Sequence, residues 1–398
     1  MLTSLGIIFL VGLAMAAICK QLRLPRIIGM LVCGIVTGPF VLDWLDPSIL
    51  GISAELRRMA LIIILIKAGL SLNITELKKV GRPALLMSFL PALFEIGGCM
   101  LLAPLLLHVT LIEAAVIGAV LGAVSPAVVV PRMVALMEEK VGTARQIPQL
   151  ILAGASLDDV FVIVLFSTFT GLAQGKSGGA AELLQIPVSI VLGILAGILT
   201  GLVLAFMFET AHRRGHSIRQ SIKVIIVLGC AFMLMAVEGW LEGKIALSGL
   251  LAVMSMACAV QLRCRREVSA DLSAKYGRLW LAAEIVLFVL VGAAVDIRYT
   301  LEAGPMALVL ILGALVFRSL GVLLSLIGTR LNRRERCYCV IAYLPKATVQ
   351  AAIGSVPLAM GLSCGGLVLS VAVLSILITA PLGAIGMDLS ASRLLEKE

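Results

Sequence analysis

The sequence predicts an all-α polytopic membrane protein of about 13 transmembrane helices, arranged as two inverted six-helix repeats plus a linker helix. Three observations predict this fold class. The chain is apolar along most of its length, its basic residues alternate from loop to loop, and two of its apolar runs are interrupted at matching places. Because the loops between the runs are short, we expect residues 1–398 to form a single membrane domain without a soluble appendage.

The composition is that of a membrane protein. Of the 398 residues, 61% are hydrophobic and 14% are charged, whereas a soluble domain is about half apolar and about a quarter charged. The apolar residues form runs of roughly 17–25, the length that spans a bilayer as a helix. We expect spans at residues 3–19, 26–42, 55–72, 84–107, 112–136, 147–173, 184–208, 220–240, 244–262, 278–296, 305–328, 337–359 and 364–388.

The first apolar run and the cysteines have ordinary structural interpretations. Leu2–Cys19 is predicted to be a membrane span and not a cleaved signal, because no basic residue precedes it and no small-x-small site follows it. The nine cysteines are scattered, and the one close pair, Cys337-x-Cys339, does not have a zinc-ligand spacing. We therefore expect the cysteines to be small buried hydrophobic residues without a disulfide framework.

The basic residues predict the orientation of the chain in the membrane. Loops that follow the odd-numbered spans carry twenty lysines and arginines, whereas the alternate loops carry only five, which are Arg57, Arg58, Lys176, Lys244 and Arg298. Basic loops are retained in the cytoplasm during insertion, so the N-terminus is predicted outside and the C-terminus inside. The compactness of the chain suggests that the protein lies in the lipid bilayer of a bacterial inner membrane. Because these clusters account for the net charge of +9, no nucleic-acid partner is expected.

Two spans are predicted to be broken crossover helices. Span five contains Gly122–Ala127 with Pro126 inside it, and span twelve contains Leu344–Gln350 with Pro345 inside it. Proline removes a helical hydrogen bond and clashes one turn back, and helices interrupted at matching places in two halves indicate a transport site. These spans are the fifth of each half. The halves are residues 1–173 and 220–388, and the linker helix at 184–208 makes their topologies opposite.

Two adjacent aspartates, Asp158 and Asp159, lie in the apolar run Ile147–Ala173, which contains no other charge. A carboxylate at membrane depth is costly, so the pair predicts an ion or proton site. Consecutive helical residues point about 100° apart, so one aspartate can face the cation path while the other faces a partner. Close carboxylates resist ionising together. Competition of a proton and a cation for Asp159 would then produce exchange.

Polar side chains in the two breaks have two interpretations each. Lys346 is expected either to offset the carbonyl ends of the half-helices or to extend to a membrane face. The hydroxyls of Ser125 and Thr348 are expected either to coordinate a cation or to bond back to their own helices. Oxygen ligands and a single charge favour Na⁺ or Li⁺. Beyond the transported Na⁺ or Li⁺ and H⁺, no cofactor is expected.

Arg318 lies in the middle of span eleven and needs a negative partner, because arginine is not deprotonated in practice. Glu95, in the middle of span four, is the leading candidate, and Asp158 is the other. Three further charged residues lie at or near membrane depth, and the sequence assigns them no role beyond expected contacts between helices or with the interface: Lys67, Glu113 and Glu284.

Three motifs together resemble those of the NHA-type sodium/proton antiporters, in the two-aspartate branch of the monovalent cation:proton antiporter superfamily. They are Gly122–Pro131, Gly154–Asp159 and Leu344–Ser355, and the resemblance extends through Ile376–Pro381 to most of the chain. It implies a homodimer in which a core domain carries the ion and a dimer domain supports it, with elevator-type alternating access. Sodium transport and pH homeostasis are the implied roles.

The resemblance also implies residue roles. Asp159 is the main ion and proton carboxylate with Asp158 beside it, Glu95 and Arg318 form a buried pair, and Lys346 neutralises the crossover. Many electrogenic bacterial relatives have a lysine where Arg318 falls. A lysine can lose a proton during the cycle and an arginine cannot, so one proton per cation and two protons per cation are both open.

Other classes of protein fit the residues less well. An intramembrane aspartyl protease needs aspartates from separate helices, but here they are neighbours, and Asp296 lies only at a span end. A channel conducts poorly through a site that binds so firmly, and an organic-anion symporter would show an anion-binding polar cluster at the crossover. No enzymatic activity is therefore expected. Potassium/proton exchange stays open as the alternative.

Overall fold

The computed structural model describes residues 1–22, 24–71, 81–174, 180–213, 218–241 and 247–397. Within them the chain forms helices throughout, and the only β-type pairing is an isolated antiparallel bridge between Val141 and Lys397. The helices are α1 (Leu2–Gln21), α2 (Arg26–Thr37), α3 (Pro47–Gly51), α4 (Ser53–Ser71), α5 (Arg82–Met87), α6 (Leu90–Leu107), α7 (Leu111–Leu121), α8 (Pro126–Glu138), α9 (Ile147–Ala173), α10 (Ala180–Arg213), α11 (Gln220–Leu241), α12 (Gly249–Arg263), α13 (Arg266–Ala293), α14 (Ile297–Ser325), α15 (Arg333–Ala342), α16 (Thr348–Gly354), α17 (Val356–Ala359) and α18 (Gly365–Leu394).

The helices confirm the predicted all-α membrane fold. In the described part of the chain, nine helical segments are long and apolar enough to cross a membrane, with α5–α6 and α7–α8 each taken as one segment. Three shorter apolar segments, α2, α12 and α16–α17, and the more polar α4 account for the remaining predicted spans. All nine cysteines are free, and Cys337 alone is exposed.

Both predicted helix breaks are present. The fifth span divides into α7 and α8 around Gly122–Ser125, and the twelfth divides into α15 and α16 around Tyr343–Ala347. Pro126 is the first residue of α8, where its missing N–H costs nothing. Each predicted half of the chain therefore has its fifth span interrupted.

The structure corrects several predicted limits. Span four, predicted as one helix over 84–107, is interrupted at Ser88–Phe89, because Pro91 at the second position of α6 cannot continue a helix from α5. Helix α13 begins at Arg266 rather than 278, since helical hydrogen bonding continues beyond the apolar stretch that hydropathy detects. Helix α2 ends at Thr37, where Gly38 is extended, and not at 42.

Helix α15 begins earlier than predicted because a capping box fixes its start. Asn332 Oδ1 accepts from Glu335 N at 2.8 Å, and Asn332 N donates to Glu335 Oε2 at 2.7 Å. This reciprocal pair satisfies two N–H groups that the first turn would otherwise leave unbonded. The helix therefore starts at Arg333, although the apolar run starts only at residue 337.

The helices form two compact units. The first takes its residues from Met1–Arg57, Asn73–Ala173 and Ile285–Glu398, and the second from Arg58–Leu72 and Gln174–Glu284. All seven candidate site residues belong to the first unit. The predicted division of the chain into two repeats and a linker helix is based on sequence order rather than on packing. It stays a prediction.

The predicted orientation also stays a prediction. Part of its basis lies outside the described residues: Arg23, Lys78, Lys79, Lys176, Arg214 and Lys244. The ends of two predicted spans, residue 72 and residues 244–246, lie outside them as well.

Close packing of α14 on α6 positions the site. A Cβ added to Gly321 would lie 2.7 Å from Pro91 Cα, and one added to Gly98 would lie 2.6 Å from the Phe317 ring. The two helices can approach this closely only because glycine has no side chain. Their approach brings Arg318 of α14 to the side of α6 that carries Glu95.

Candidate functional site

The two helix breaks are hydrogen-bonded to each other. Ser125 N, in the first break, donates to Pro345 O in the second at 2.9 Å. The C-terminal ends of α7 and α15 and the N-terminal ends of α8 and α16 therefore meet in one buried region. Helix N-termini carry partial positive charge and C-termini partial negative charge, so the region holds opposed partial charges that polar side chains must satisfy.

Gln350 of α16 joins the breaks a second time. Its Nε2 donates to Ala123 O at 2.8 Å, and its Oε1 accepts from Ala347 N at 2.8 Å. One amide thus satisfies a carbonyl of the first break and an N–H of the second. Gln350 was not among the predicted site residues, although an amide side chain inside an apolar span is a signal that could have indicated it.

Lys346 binds a carbonyl at the C-terminal end of α7. Its side chain is 1% exposed, so it does not extend to a membrane face. Its Nζ donates to Leu121 O and, at 2.6 Å, to Glu95 Oε2. Its backbone N donates to Thr379 Oγ1 of α18 at 2.9 Å, which fixes the second break against that helix.

Arg318 binds both of the partners predicted from the sequence, Glu95 and Asp158. Its Nη1 donates to Glu95 Oε2 at 2.7 Å, and its Nη2 donates to Asp158 Oδ2 at 3.1 Å. The same guanidinium also donates to Gly122 O and, through Nε at 2.6 Å, to Tyr343 O. Arg318 is fully buried. One side chain therefore connects α14 with α6, with α9 and with a carbonyl next to each break.

The two aspartates have different surroundings, as their angular separation on α9 predicts. Asp158 Oδ2 accepts from Val124 N at 2.7 Å in addition to Arg318. Asp159 is 7% exposed, and no lysine or arginine in the described ranges forms an ion pair with it. Its Oδ1 is buried without a hydrogen-bond partner. Asp158 is the paired carboxylate, and Asp159 is the unpaired one.

The charges of this cluster do not cancel. Three carboxylates, Glu95, Asp158 and Asp159, face two cations, Arg318 and Lys346. With every group ionised, one negative charge remains, and it lies on the carboxylate that has no cationic partner. An isolated buried charge is strongly unfavourable. Either a proton or a monovalent cation at Asp159 would balance the cluster.

The two hydroxyl residues lie at half-helix N-termini. Ser125 immediately precedes α8, and Thr348 is the first residue of α16. Both are buried. Ser125 Oγ has no hydrogen-bond partner in the described chain, so it does not bond back to its helix, and Asp158 Oδ1 is in the same state. The structure places neither hydroxyl in a hydrogen bond with Asp159, and their roles stay predictions.

The remaining intramembrane charges lie elsewhere. Glu113 caps α7, accepting from Thr110 N at 2.9 Å and from Ser363 Oγ at 2.8 Å. The spacing Thr-x-x-Glu is a capping-box signal that is visible in the sequence and indicates this role for Glu113. In the second unit, Lys67 Nζ lies 5.8 Å from the centre of the Trp280 ring. Glu284 belongs to the same unit and is not without an interaction partner.

Comparisons with known proteins agree on one family. A family model described as "Sodium/hydrogen exchanger, transmembrane" matches residues 5–388. The chain is 34% identical over 385 residues to human sodium/hydrogen exchanger 9B2, covering 94% of this chain and 70% of that protein. It is 29% identical over 390 residues to human sodium/hydrogen exchanger 9B1, covering 94% and 73%.

A solved structure has the same fold. It is that of the sodium proton antiporter MjNhaP1 from Methanocaldococcus jannaschii at pH 8, with a TM-score of 0.84. The similarity covers 99% of this chain and 98% of that one, at 22% sequence identity. The fold similarity therefore extends over both units of the chain and both broken helices.

Proposed function

Because this chain belongs to the sodium/hydrogen exchanger family, it is a multi-pass membrane cation/proton antiporter and not an enzyme, and we propose that it exchanges Na⁺ or Li⁺ for H⁺ at Asp159. The observation that carries this proposal is the one uncompensated charge of the buried cluster. Glu95 and Asp158 are paired with Arg318 and Lys346, whereas Asp159 has no cationic partner among the described residues.

Exchange follows from competition at this carboxylate. A proton on Asp159 neutralises the cluster and removes the negative charge that a cation would bind. A cation bound at Asp159 neutralises it equally well and displaces the proton, as ligand deprotonation generally accompanies cation binding. The two occupants exclude each other. The ionised carboxylate without a bound proton or cation is unfavourable in the buried site. The site is therefore favoured to cross the membrane when it holds either a proton or a cation.

The proposed cation ligands are buried oxygen atoms. Asp159 Oδ1, Asp158 Oδ1 and Ser125 Oγ lack hydrogen-bond partners in the described chain, and the Thr348 hydroxyl is proposed as a fourth ligand. Hard cations such as Na⁺ and Li⁺ prefer carboxylate and hydroxyl oxygens. The partial positive charge at the N-termini of α8 and α16 limits the total charge of the occupant, which favours a monovalent ion.

We propose that the helices of the site move together as one body. Arg318, Lys346 and Gln350 join α14, α6, α9 and both breaks through buried hydrogen bonds. Displacing one of these helices alone would leave buried charges unpaired. We therefore propose elevator-type alternating access, in which this group of helices carries the ion. We further propose that the protein is a homodimer in the lipid bilayer of a bacterial inner membrane. Its N-terminus would lie outside and its C-terminus in the cytoplasm, and its role would be pH homeostasis.

Proton movement in proteoliposomes tests the proposal. A proton gradient is imposed, and Na⁺, Li⁺ and K⁺ are added in turn to the parent, to Asp159→Asn and to Asp388→Asn. Asp388 is a carboxylate of α18 paired with Arg132 outside the site. We expect Na⁺ and Li⁺ to dissipate the gradient with the parent and with Asp388→Asn, but not with Asp159→Asn. Dissipation by K⁺ alone would assign potassium/proton exchange, and an active Asp159→Asn variant would contradict the site.

A further inference from the structure

Tyr343 lies beside the aspartate pair but has no role in the exchange described above. It is fully buried at the end of α15, where the second break begins. Its ring centre is 5.4 Å from the Arg318 guanidinium carbon, and its carbonyl accepts from Arg318 Nε. Its hydroxyl points to α9, where a Cβ added to Gly154 would lie 2.1 Å from it.

Gly154 is one helical turn before Asp158, so the Tyr343 hydroxyl lies next to the α9 turn that carries the ion site. The tyrosine reaches this position only because residue 154 has no side chain. The glycine of the Gly154–Asp159 motif therefore makes room for a phenol oxygen in the site. A packing role alone would not require a hydroxyl at this point.

The Tyr343 hydroxyl is a buried polar group without a hydrogen-bond partner in the described chain. Three acceptors of the same region share this state: Ser125 Oγ, Asp158 Oδ1 and Asp159 Oδ1. Buried polar groups in proteins are usually satisfied, and each unsatisfied one is unfavourable. A buried donor near buried acceptors that also lack protein partners can be satisfied by a water molecule, since a buried water needs about two to four polar partners.

We propose that the Tyr343 hydroxyl holds a water molecule that completes the oxygen coordination of the cation at Asp159, which makes Tyr343 a residue that determines ion preference. The phenol donates to the water, and the lone pairs of the water face the cation. This inference rests on the proposed function of the site. Because a larger cation needs more oxygen ligands than a smaller one, binding of Na⁺ depends on this water more than binding of Li⁺ does.

The direct test is Tyr343→Phe, which removes one oxygen atom. In Na⁺-dependent and Li⁺-dependent proton exchange, we expect KM for Na⁺ to rise about threefold to tenfold, the effect of one lost hydrogen bond. KM for Li⁺ is expected to rise less, so the preference shifts toward Li⁺. The matched control is Tyr338→Phe, which alters another buried tyrosine of α15 and is expected to leave both values at the parental level.

A second variant tests the geometry. In Gly154→Ala the new methyl group displaces the hydroxyl, so KM for Na⁺ should rise in the parent background. In the Tyr343→Phe background it should have less further effect, because the ring carbon that bears the hydroxyl is 3.4 Å from the added Cβ. The tighter contact of the added Cβ with Met87 Cβ, at 3.0 Å, is the same in both backgrounds and does not contribute to the difference. The two changes are therefore expected to be non-additive.

Parental KM values and a parental Na⁺/Li⁺ ratio in Tyr343→Phe would overturn the inference, whatever the thermal stability of the variant. Loss of the folded protein in Tyr343→Phe would overturn it as well, because a hydroxyl without a protein partner is not needed for folding. The two proposals fail separately. A parent that moves no protons with any cation refutes the proposed function, whereas an active parent with an indistinguishable Tyr343→Phe refutes only the water site.

Discussion

At the scale of single residues, the charge cluster depends most on Arg318, which holds two carboxylates and two backbone carbonyls. Replacing it with leucine would leave Asp158 buried without a cation and Glu95 with Lys346 alone. Breaking a buried pair in this way costs about 3–5 kcal/mol. We expect Arg318→Leu to lower the melting temperature of the purified protein strongly and to abolish exchange.

The control for this prediction is Arg132→Leu. Arg132 pairs with Asp388 at 2.8 Å, but the two side chains are 24% and 55% exposed, and such pairs contribute about 0–1 kcal/mol. We therefore expect a small change in melting temperature. Equal losses of stability in the two variants would contradict the assignment of Arg318 to the centre of the cluster.

The sequence predicted the charged members of the site and the two hydroxyl residues at the breaks, but not Gln350. Glu95, Asp158, Arg318 and Lys346 are conspicuous because a charge in an apolar run has to be explained. Sequence alone could not decide between Glu95 and Asp158 as the partner of Arg318, because the choice depends on distances between helices, and the structure shows both. Gln350 was missed because a neutral amide in an apolar run is a weaker signal than a charge.

At the scale of helices, the contact between α14 and α6 sets the distance that Arg318 has to span. Gly321→Ala would put a Cβ 2.7 Å from Pro91 Cα and 2.9 Å from Leu90 O, and backbone atoms cannot move aside as a side chain can. We expect α14 to shift away from α6, the pairing of Arg318 with Glu95 to weaken, and both the melting temperature and the exchange rate to fall.

Gly97→Ala is the matched control on α6. A Cβ at Gly97 meets nothing within 4 Å, and alanine is favoured over glycine in a helix by about 1 kcal/mol. This variant should be as stable as the parent or slightly more stable. A Gly321→Ala protein as stable and active as Gly97→Ala would show that close approach of the two helices is not required.

The prolines in the sequence indicated some of the helix breaks but not all of them. In spans five and twelve a proline lies next to a polar residue, Ser125 in the first case and Lys346 in the second, and the breaks were predicted at the right places. In span four, Pro91 also interrupts the helix, but its apolar surroundings gave no second signal. Pro104, by contrast, is accommodated inside α6. Whether a proline kinks or breaks a helix depends on packing that a local sequence does not contain.

At the scale of the whole molecule, one proton and one cation are expected to compete for a single negative charge. At pH values where most Asp159 is protonated, KM for Na⁺ should therefore rise about tenfold for each unit that the pH falls, because each cation must displace a proton. Transport assays over a range of pH measure this dependence. A KM for Na⁺ that does not change with pH would show that the two ions use different groups.

The same charge count favours exchange of one proton for one cation. Arg318 does not release a proton in the cycle, and Lys346 is held by Glu95 and Leu121 O. We expect the rate of exchange in proteoliposomes to be the same with and without an imposed membrane potential. Acceleration by a potential would instead indicate a second proton, with Lys346 as its carrier.

The fold class could be predicted from sequence because membrane length and loop charge are properties of each segment taken alone. The grouping of helices could not be predicted in this way. The first unit combines three separate stretches of the chain, since it is held by contacts such as Arg318 to Glu95, whose residues are 223 positions apart. Pairings over such distances leave no local pattern in a single sequence.

Proton release on cation binding tests the central claim most directly. Na⁺ is added to the purified protein in weakly buffered detergent solution, and a pH-sensitive dye records the protons released while bound Na⁺ is measured in parallel. At pH values where most Asp159 is protonated, we predict about one proton released for each ion bound, and none from Asp159→Asn. Sodium binding by the parent without proton release, or equal release by Asp159→Asn, would contradict competition of the two ions for this carboxylate.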